Sequence, residues 1–308
     1  MNKWVRRGIF LILLLIFLGS AGMVFSILRQ YRTSERLYDD AVTQFISVVT
    51  VQNGAEEGLD GPAQTTVTTS GGPGPVAANQ SADQSGGDAV AGVPGGADPG
   101  EAERDSFASD EIAPLIVDFE ALRAVAPDAQ AWLYCPGTVI NYPVVQGEDD
   151  DYYLHRSYDG AYNYPGSIFA EALNQPDFQD YNTILYGHNM RDGSMFACLS
   201  SWADQVFYEE HPVMWLLTPR QDYKVELFSG YTISAYSDTY QIITQPGEEL
   251  NGYLDMAVAN SDFDSRVELN QEAHYVLLST CAYVFNNARY VLHGMLRPVN
   301  SAGGRPLS

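Results

Sequence analysis

Positive charge is scarce in this chain of 308 residues: 16 Lys and Arg stand against 39 Asp and Glu, for a formal net charge of −23. Binding to a phosphate backbone needs a basic footprint, so nucleic acid is excluded as a partner. Cysteine is scarcer still. Cys135, Cys198 and Cys281 are too few for a disulfide scaffold, and an odd count leaves at least one thiol free. No Cys/His spacing of the zinc type occurs. The run Asp149-Asp150-Asp151 does not alone supply the six or more oxygens that calcium takes, so it reads as a solvated turn. No metal and no cofactor are expected. Apolar residues, at 45%, are ordinary for a folded protein and exclude wholesale disorder.

The charge is unevenly spread: residues 1–52 carry +3, residues 53–108 carry −8 and residues 109–308 carry −18. Within the first region, Gly8–Leu28 is an uncharged apolar run of 21 residues. At 1.5 Å per residue it spans about 31 Å, the thickness of a hydrocarbon core. A cleaved signal peptide has a shorter apolar core ending in an A-x-A-like site, whereas Ser20-Ala21-Gly22 lies inside this run. The expected organisation is therefore a cytoplasmic tail (1–7), a transmembrane signal anchor (8–28) and a juxtamembrane helix (29–52). Lys3, Arg6 and Arg7 precede the span and Arg29, Arg32 and Arg36 follow it, so the positive-inside rule does not decide orientation. The short N-terminal tail and the long acidic remainder favour a cytoplasmic N-terminus and an extracellular C-terminal domain.

Residues 53–108 hold twelve glycines and one aromatic, Phe107. Such a segment cannot bury enough apolar surface to offset its ordering entropy, and it reads as a disordered acidic tether. Residues 109–300 form the domain and 301–308 a flexible tail. In the domain, Asp118 is placed to cap a helix over 118–125 that Pro127 stops. Short β-branched and aromatic runs follow at 138–146, 167–171, 182–188, 213–218, 223–236, 274–281 and 288–299, with helical insertions at 194–203 and 247–260. Closely spaced runs without regular strand–helix alternation predict an all-β barrel or sandwich.

For any one cysteine the ordinary role is an inert buried thiol. Cys281 stands apart because it ends an apolar strand, VLLSTC, where a side chain emerges at a rim, and Arg289 follows eight residues later. A nearby cation lowers a thiol's pKa. Among five histidines, His188 likewise ends an apolar strand and opens the loop HNMRDGSMF. Alone it reads as a solvated loop histidine.

Taken together, YGHN at 186–189, LSTC at 278–281 and Arg289 in NNARYVLHG resemble the sortase family, class B in particular. INYPVVQ at 140–146, DYYLHRSYDG at 151–160, GSIFAE at 166–171 and NTILYGHNMRDGSMF at 182–196 extend the resemblance over about residues 112–299. It implies a closed sortase-type β-barrel of about eight strands with N-terminal and inserted helices. The implied activity is cysteine transpeptidation, in which a surface protein's C-terminal sorting signal is cleaved and the acyl product passes to an amine of a cell-wall precursor or a pilin. In those terms Cys281 is the nucleophile, His188 the acid and base, and Arg289 the substrate and oxyanion clamp. The resemblance also implies substrate contacts from Asn141, Tyr186 and Ser279. Ala282 follows the nucleophile where relatives often carry a polar or acidic residue, and the long glycine-rich segment is not part of the family's core pattern. The family implies a Gram-positive cell surface.

Two other readings compete. Thiol hydrolases of the cell-wall amidase type place the cysteine before the histidine, whereas His188 precedes Cys281 by 93 residues. A catalytically silent tethered binding module would need a degenerate site, and all three expected residues are present.

Overall fold

The computed structural model describes residues 3–49 and 109–301. The tether expected over 53–108 and nearly all of the C-terminal tail lie outside the described residues.

A single helix, α1 (Lys3–Phe45), carries the charge-free run without a break into the next segment. It is long and apolar enough to cross a membrane by length and composition. From Ile12 to Arg29 its surface is bare. Beyond that, Ser34, Tyr38, Ala41 and Phe45 are buried, a spacing of three or four that keeps one helical face on the domain. The Tyr38 hydroxyl donates to Gly166 O at 2.6 Å, and Asn163 Nδ2 donates to Ser34 Oγ at 3.0 Å. The helix expected over 29–52 ends early, at Phe45, where β-branched Ile46 and Val48 favour extended backbone. There β1 (Ile46–Val48) forms. After β2 (Ser109–Ile112), β3 (Leu115–Val117) pairs with β1 antiparallel, Val48 opposite Leu115. The described flanks of residues 50–108 are thus held together, and Val49 N donates to Pro114 O at 2.9 Å.

Asp118 caps α2 (Phe119–Val125), its carboxylate accepting from Ala121 N at 2.9 Å. Eight strands follow: β4 (Ala129–Tyr134), β5 (Asn141–Val145), β6 (Ile168–Ala170), β7 (Asn182–Tyr186), β8 (Val213–Leu217), β9 (Asp222–Ser234), β10 (His274–Cys281) and β11 (Ala288–Asn300). Around the barrel they run β4-β5-β6-β7-β10-β11-β9-β8 and back to β4, so the sheet closes; β2 adds beside the end of β11. A 3-10 segment (Ala197–Ala203) and α3 (Gln205–Glu210) fill the β7–β8 connection, and α4 (Glu248–Ala259) lies between β9 and β10.

The architecture is the closed eight-stranded barrel that the resemblance implies. The expected helix at 194–203 is instead a 3-10 segment followed by α3. The run AQAWLY was not among the expected strands but forms β4. Its two alanines are poor strand formers, and its place between α2 and β5 is secured by burial, with Ala129, Ala131 and Trp132 fully enclosed. Strand alternation divides the core. On β10, Val276 and Leu278 join the interior cluster with Trp132, whereas Tyr275 and Leu277 pack under α4 with Leu250, Tyr253 and Leu254.

Candidate active site

Three adjacent strands end at one rim of the barrel. β7 and β10 are parallel, with Tyr186 opposite Ser279, so His188 and Cys281, each two residues further on, emerge level with one another. β10 and β11 are antiparallel, with Cys281 directly opposite Arg289. Cβ atoms of such a pair lie about 4.5–5.5 Å apart. Beyond the strands, Gly187 N donates to Ser279 O at 3.2 Å and Thr280 Oγ1 donates to Gly187 O at 2.8 Å. Asn189 Nδ2 donates to Cys281 O at 2.7 Å. The histidine loop is thereby stitched to the cysteine strand by side chains as well as backbone.

Gly187 shows why the approach is close. A Cβ there would lie 2.6 Å from Ile168 Cδ1 and 2.7 Å from the Phe196 ring, so only glycine lets the chain leave β7 at this angle.

The His188 ring is half-buried, and its Nε2 lies 2.8 Å from Leu154 O. A carbonyl only accepts, so Nε2 carries the proton and Nδ1 keeps its lone pair. Burial lowers the His188 pKa, opposed by the Leu154 hydrogen bond and aided by His155, so the ring is neutral at pH 7. His155 stacks on it with centroids 5.5 Å apart.

The three thiols differ in setting. Burial pushes Cys135 up to about 12 and Cys198 up to about 11, which keeps both protonated. Cys281 is half-exposed at the rim. Arg289 is also half-buried; one guanidinium N–H goes to Ala288 O at 3.0 Å, and among the described residues it has no ion-pair partner. Its positive charge reaches Tyr240, whose phenol is raised chiefly by burial and lowered by Arg289.

The expected substrate contacts divide. Ser279 is buried, its Oγ 2.8 Å from the Tyr240 hydroxyl. Tyr186 stacks on Tyr240 at 6.4 Å and donates its hydroxyl to Glu171 Oε2 at 2.8 Å. Burial and the Glu171 carboxylate raise the Tyr186 phenol, and burial raises Glu171. Asn141 starts β5 at the same rim, but its Oδ1 accepts from Trp132 Nε1 at 2.7 Å, and it lines a cavity of about 590 Å³ against Ser34, Tyr38 and Asp39 of α1. It does not join the Tyr186–Tyr240–Ser279 set. Asp149 accepts from Asp151 N and Tyr152 N, and Asp150 from Ala172 N, so two of the three carboxylates serve backbone turns. Sequence reasoning missed Asn189, Tyr240 and Glu171. Adjacency to His188 was a signal for Asn189, and Glu171 closes the run GSIFAE that carries part of the resemblance; nothing marked Tyr240.

A half-exposed thiol between a neutral histidine and a half-buried arginine can attack a carbonyl, move a proton and hold an oxyanion. No protein-family model matches the chain. Sortase B of Listeria monocytogenes is 36% identical over 179 residues, covering 57% of this chain and 72% of its own length. The chain belongs to the sortase B family. Solved sortase B structures share the fold. The Staphylococcus aureus sortase B–substrate complex superposes with a TM-score of 0.56 and 28% identity over 59% of this chain and 85% of that one. A sortase B complexed with triglycine gives 0.55 and 30% over 59% and 86%. This sortase therefore comes from a family of cysteine transpeptidases.

Proposed function

We propose that this protein is a membrane-anchored sortase that cleaves C-terminal sorting signals of surface proteins through a thioacyl intermediate on Cys281 and transfers the acyl group to an amine. The observation that carries this reading is the strand register, parallel β7–β10 beside antiparallel β10–β11, which brings His188, Cys281 and Arg289 to one rim. In the first step His188 Nδ1 takes the thiol proton, and the Cys281 thiolate attacks the scissile carbonyl carbon. The Arg289 guanidinium holds the oxyanion. The carbon–nitrogen bond breaks as His188 returns the proton to the leaving amine, leaving the acyl group on Sγ. In the second step an incoming amine gives its proton to His188, attacks the thioester and expels the thiolate. Tyr186 and Ser279 line the approach with Tyr240, and Asn141 acts from the α1 side of the rim. The substrate-bound and triglycine-bound relatives support a peptide substrate and an amine acceptor; a wall precursor or a pilin as that acceptor is what the family resemblance implies. The apolar run in α1 supports a single-pass anchor; the short N-terminal tail and the long acidic remainder favour an N-terminus in the cytoplasm and the barrel outside, at the Gram-positive surface the family implies.

The test is mass spectrometry of the protein with a panel of sorting-signal peptides, then with glycine oligomers, diaminopimelate-containing peptides and lysine-bearing pilin fragments. The expected result is an acyl adduct on Cys281 and a shift of product from acid to amide as amine is added. Brisk cleavage that yields free acid with every acceptor would make the protein a hydrolase.

A further inference from the structure

A crevice beside α1 sets the height of the barrel on the helix. Tyr162, Asn163 and Tyr164 of the β5–β6 connection line it on one side, and Ser26, Arg29 and Thr33 of α1 on the other. Ser26 belongs to the charge-free run, so this connection stands level with the end of that run. One turn further, Tyr31 meets Tyr164 edge-on with centroids 6.1 Å apart. Tyr31, Ser34 and Tyr38 of α1 also share a cavity with Asp192, Gly193 and Ser194 of the histidine loop, and Asn189 of that loop donates to Cys281 O at 2.7 Å, which places the start of the β10–β11 loop on the side of the barrel that faces α1. That loop leaves the strand directly after Cys281. Its Tyr283 and Val284 are 80% and 73% exposed, Phe285 is 50% exposed, and Tyr162 across the crevice is 68% exposed.

We propose that the Tyr283–Phe285 tip, with Tyr162 and Tyr164, is a bilayer-contacting surface that seats the rim bearing His188, Cys281 and Arg289 on the lipid headgroups. The proposal rests on the reading of α1 as a membrane anchor. If Leu28 ends the hydrocarbon span, Tyr31 stands about 4.5 Å beyond it, within a headgroup zone of about 5–7 Å per leaflet. Tyrosine suits that depth because its ring is apolar and its hydroxyl stays wet. Arg29 at the crevice, Arg32 one turn further and Arg156, bridged to Tyr162, bring positive charge beside the end of the apolar run in an otherwise acidic protein, interspersed with Glu35. The attachment is rigid: Tyr38 and Phe45 are buried in the barrel's core cluster and β1 is paired to β3, so the helix and the rim hold a fixed relation. An exposed apolar loop on a hinged domain would meet lipid only in passing; here it is held beside the span.

The experiment uses the full chain in phosphatidylglycerol vesicles. Val284→Trp is compared with Leu173→Trp, whose site is also apolar and exposed but lies at the opposite end of the barrel, and with the parent chain. With lipids brominated near the acyl carbonyls, the added emission of Val284→Trp is expected to lose about half its intensity, as a ring at interface depth would, while that of Leu173→Trp is unchanged. Equal behaviour of the two variants in a chain that floats with the vesicles overturns the proposal and leaves the anchor intact. Emission at position 284 that answers to a sorting-signal peptide and not to brominated lipid also overturns it, in favour of a peptide contact. Release of the chain from vesicles by alkaline carbonate removes the anchor reading and the proposal together.

Discussion

Cys281, rather than Cys135 or Cys198, is the thiol placed to react, because burial keeps the other two protonated at any physiological pH. Cys281→Ala is expected to abolish peptide cleavage with the thermal midpoint nearly unchanged, whereas Cys135→Ala and Cys198→Ala retain cleavage; chromatography of the products and circular dichroism check both. Asn189 supplies a second test. Its carboxamide holds the Cys281 carbonyl at 2.7 Å and so ties the histidine loop to the nucleophile's strand. Loss of one such hydrogen bond costs about 1–1.5 kcal/mol, which corresponds to about a tenfold fall in kcat if the bond holds the catalytic geometry. Asn189→Ala should lower kcat with little change in KM, and Asn189→Asp should not rescue it, since a carboxylate cannot donate. An unchanged kcat would assign the bond to stability alone.

At the level of elements, β11 carries a buried ionisable group that sets an acid limit on the barrel. His293 packs against Tyr231 with ring centroids 5.3 Å apart, and its Nδ1 lies 3.2 Å from the Tyr253 hydroxyl under α4. Burial lowers its pKa from 6.5 to about 3. Between those values the unfolded chain binds a proton that the folded chain refuses. The stabilisation is complete above the unfolded value and is lost as pH falls toward the folded one, with a slope of about 1.4 kcal/mol per pH unit. Burial lowers His188 in the same direction, so it adds to the acid loss. Urea midpoints between pH 4 and pH 7 should therefore rise with pH. His293→Phe should flatten that rise whatever its own effect on stability at pH 7; a slope identical to the parent's would remove His293 as its cause.

For the whole molecule, the decisive connection is β1 to β3. Because Val48 sits opposite Leu115, residues 50–108 leave from and return to the same short ribbon. The distance between the end of the apolar run and the barrel is then set by α1, which packs on the core through Tyr38 and Phe45. A specific protease site placed within residues 53–108 should accordingly yield two fragments that stay associated through Tyr38, Phe45 and β1 and co-elute in detergent until denatured. Separation of the barrel as a free soluble fragment on cutting would place those contacts below what holds the two pieces together.

Local chemistry was legible in the sequence alone. The apolar run, the Asp118 cap and the strand ending at Cys281 follow from composition and periodicity, because each depends on neighbours a few residues away; the grouping of His188, Cys281 and Arg289 rests on the family resemblance, and the strand expected to reach His188 ends at Tyr186. What only the tertiary structure decided depends on partners far along the chain. β4 is a strand because burial outweighs the weak propensity of Ala129 and Ala131. Ile46–Val48, already inclined to extended backbone by its β-branched residues, finds its strand partner only in β3, distant in sequence. Tyr240 and Glu171 join the site through contacts spanning 39 and 15 residues. Asn141 turns toward Trp132 and α1 because the helix that covers it comes from outside the barrel's own sequence. Periodicity reports which face of an element is apolar; it carries no record of which distant surface will cover that face.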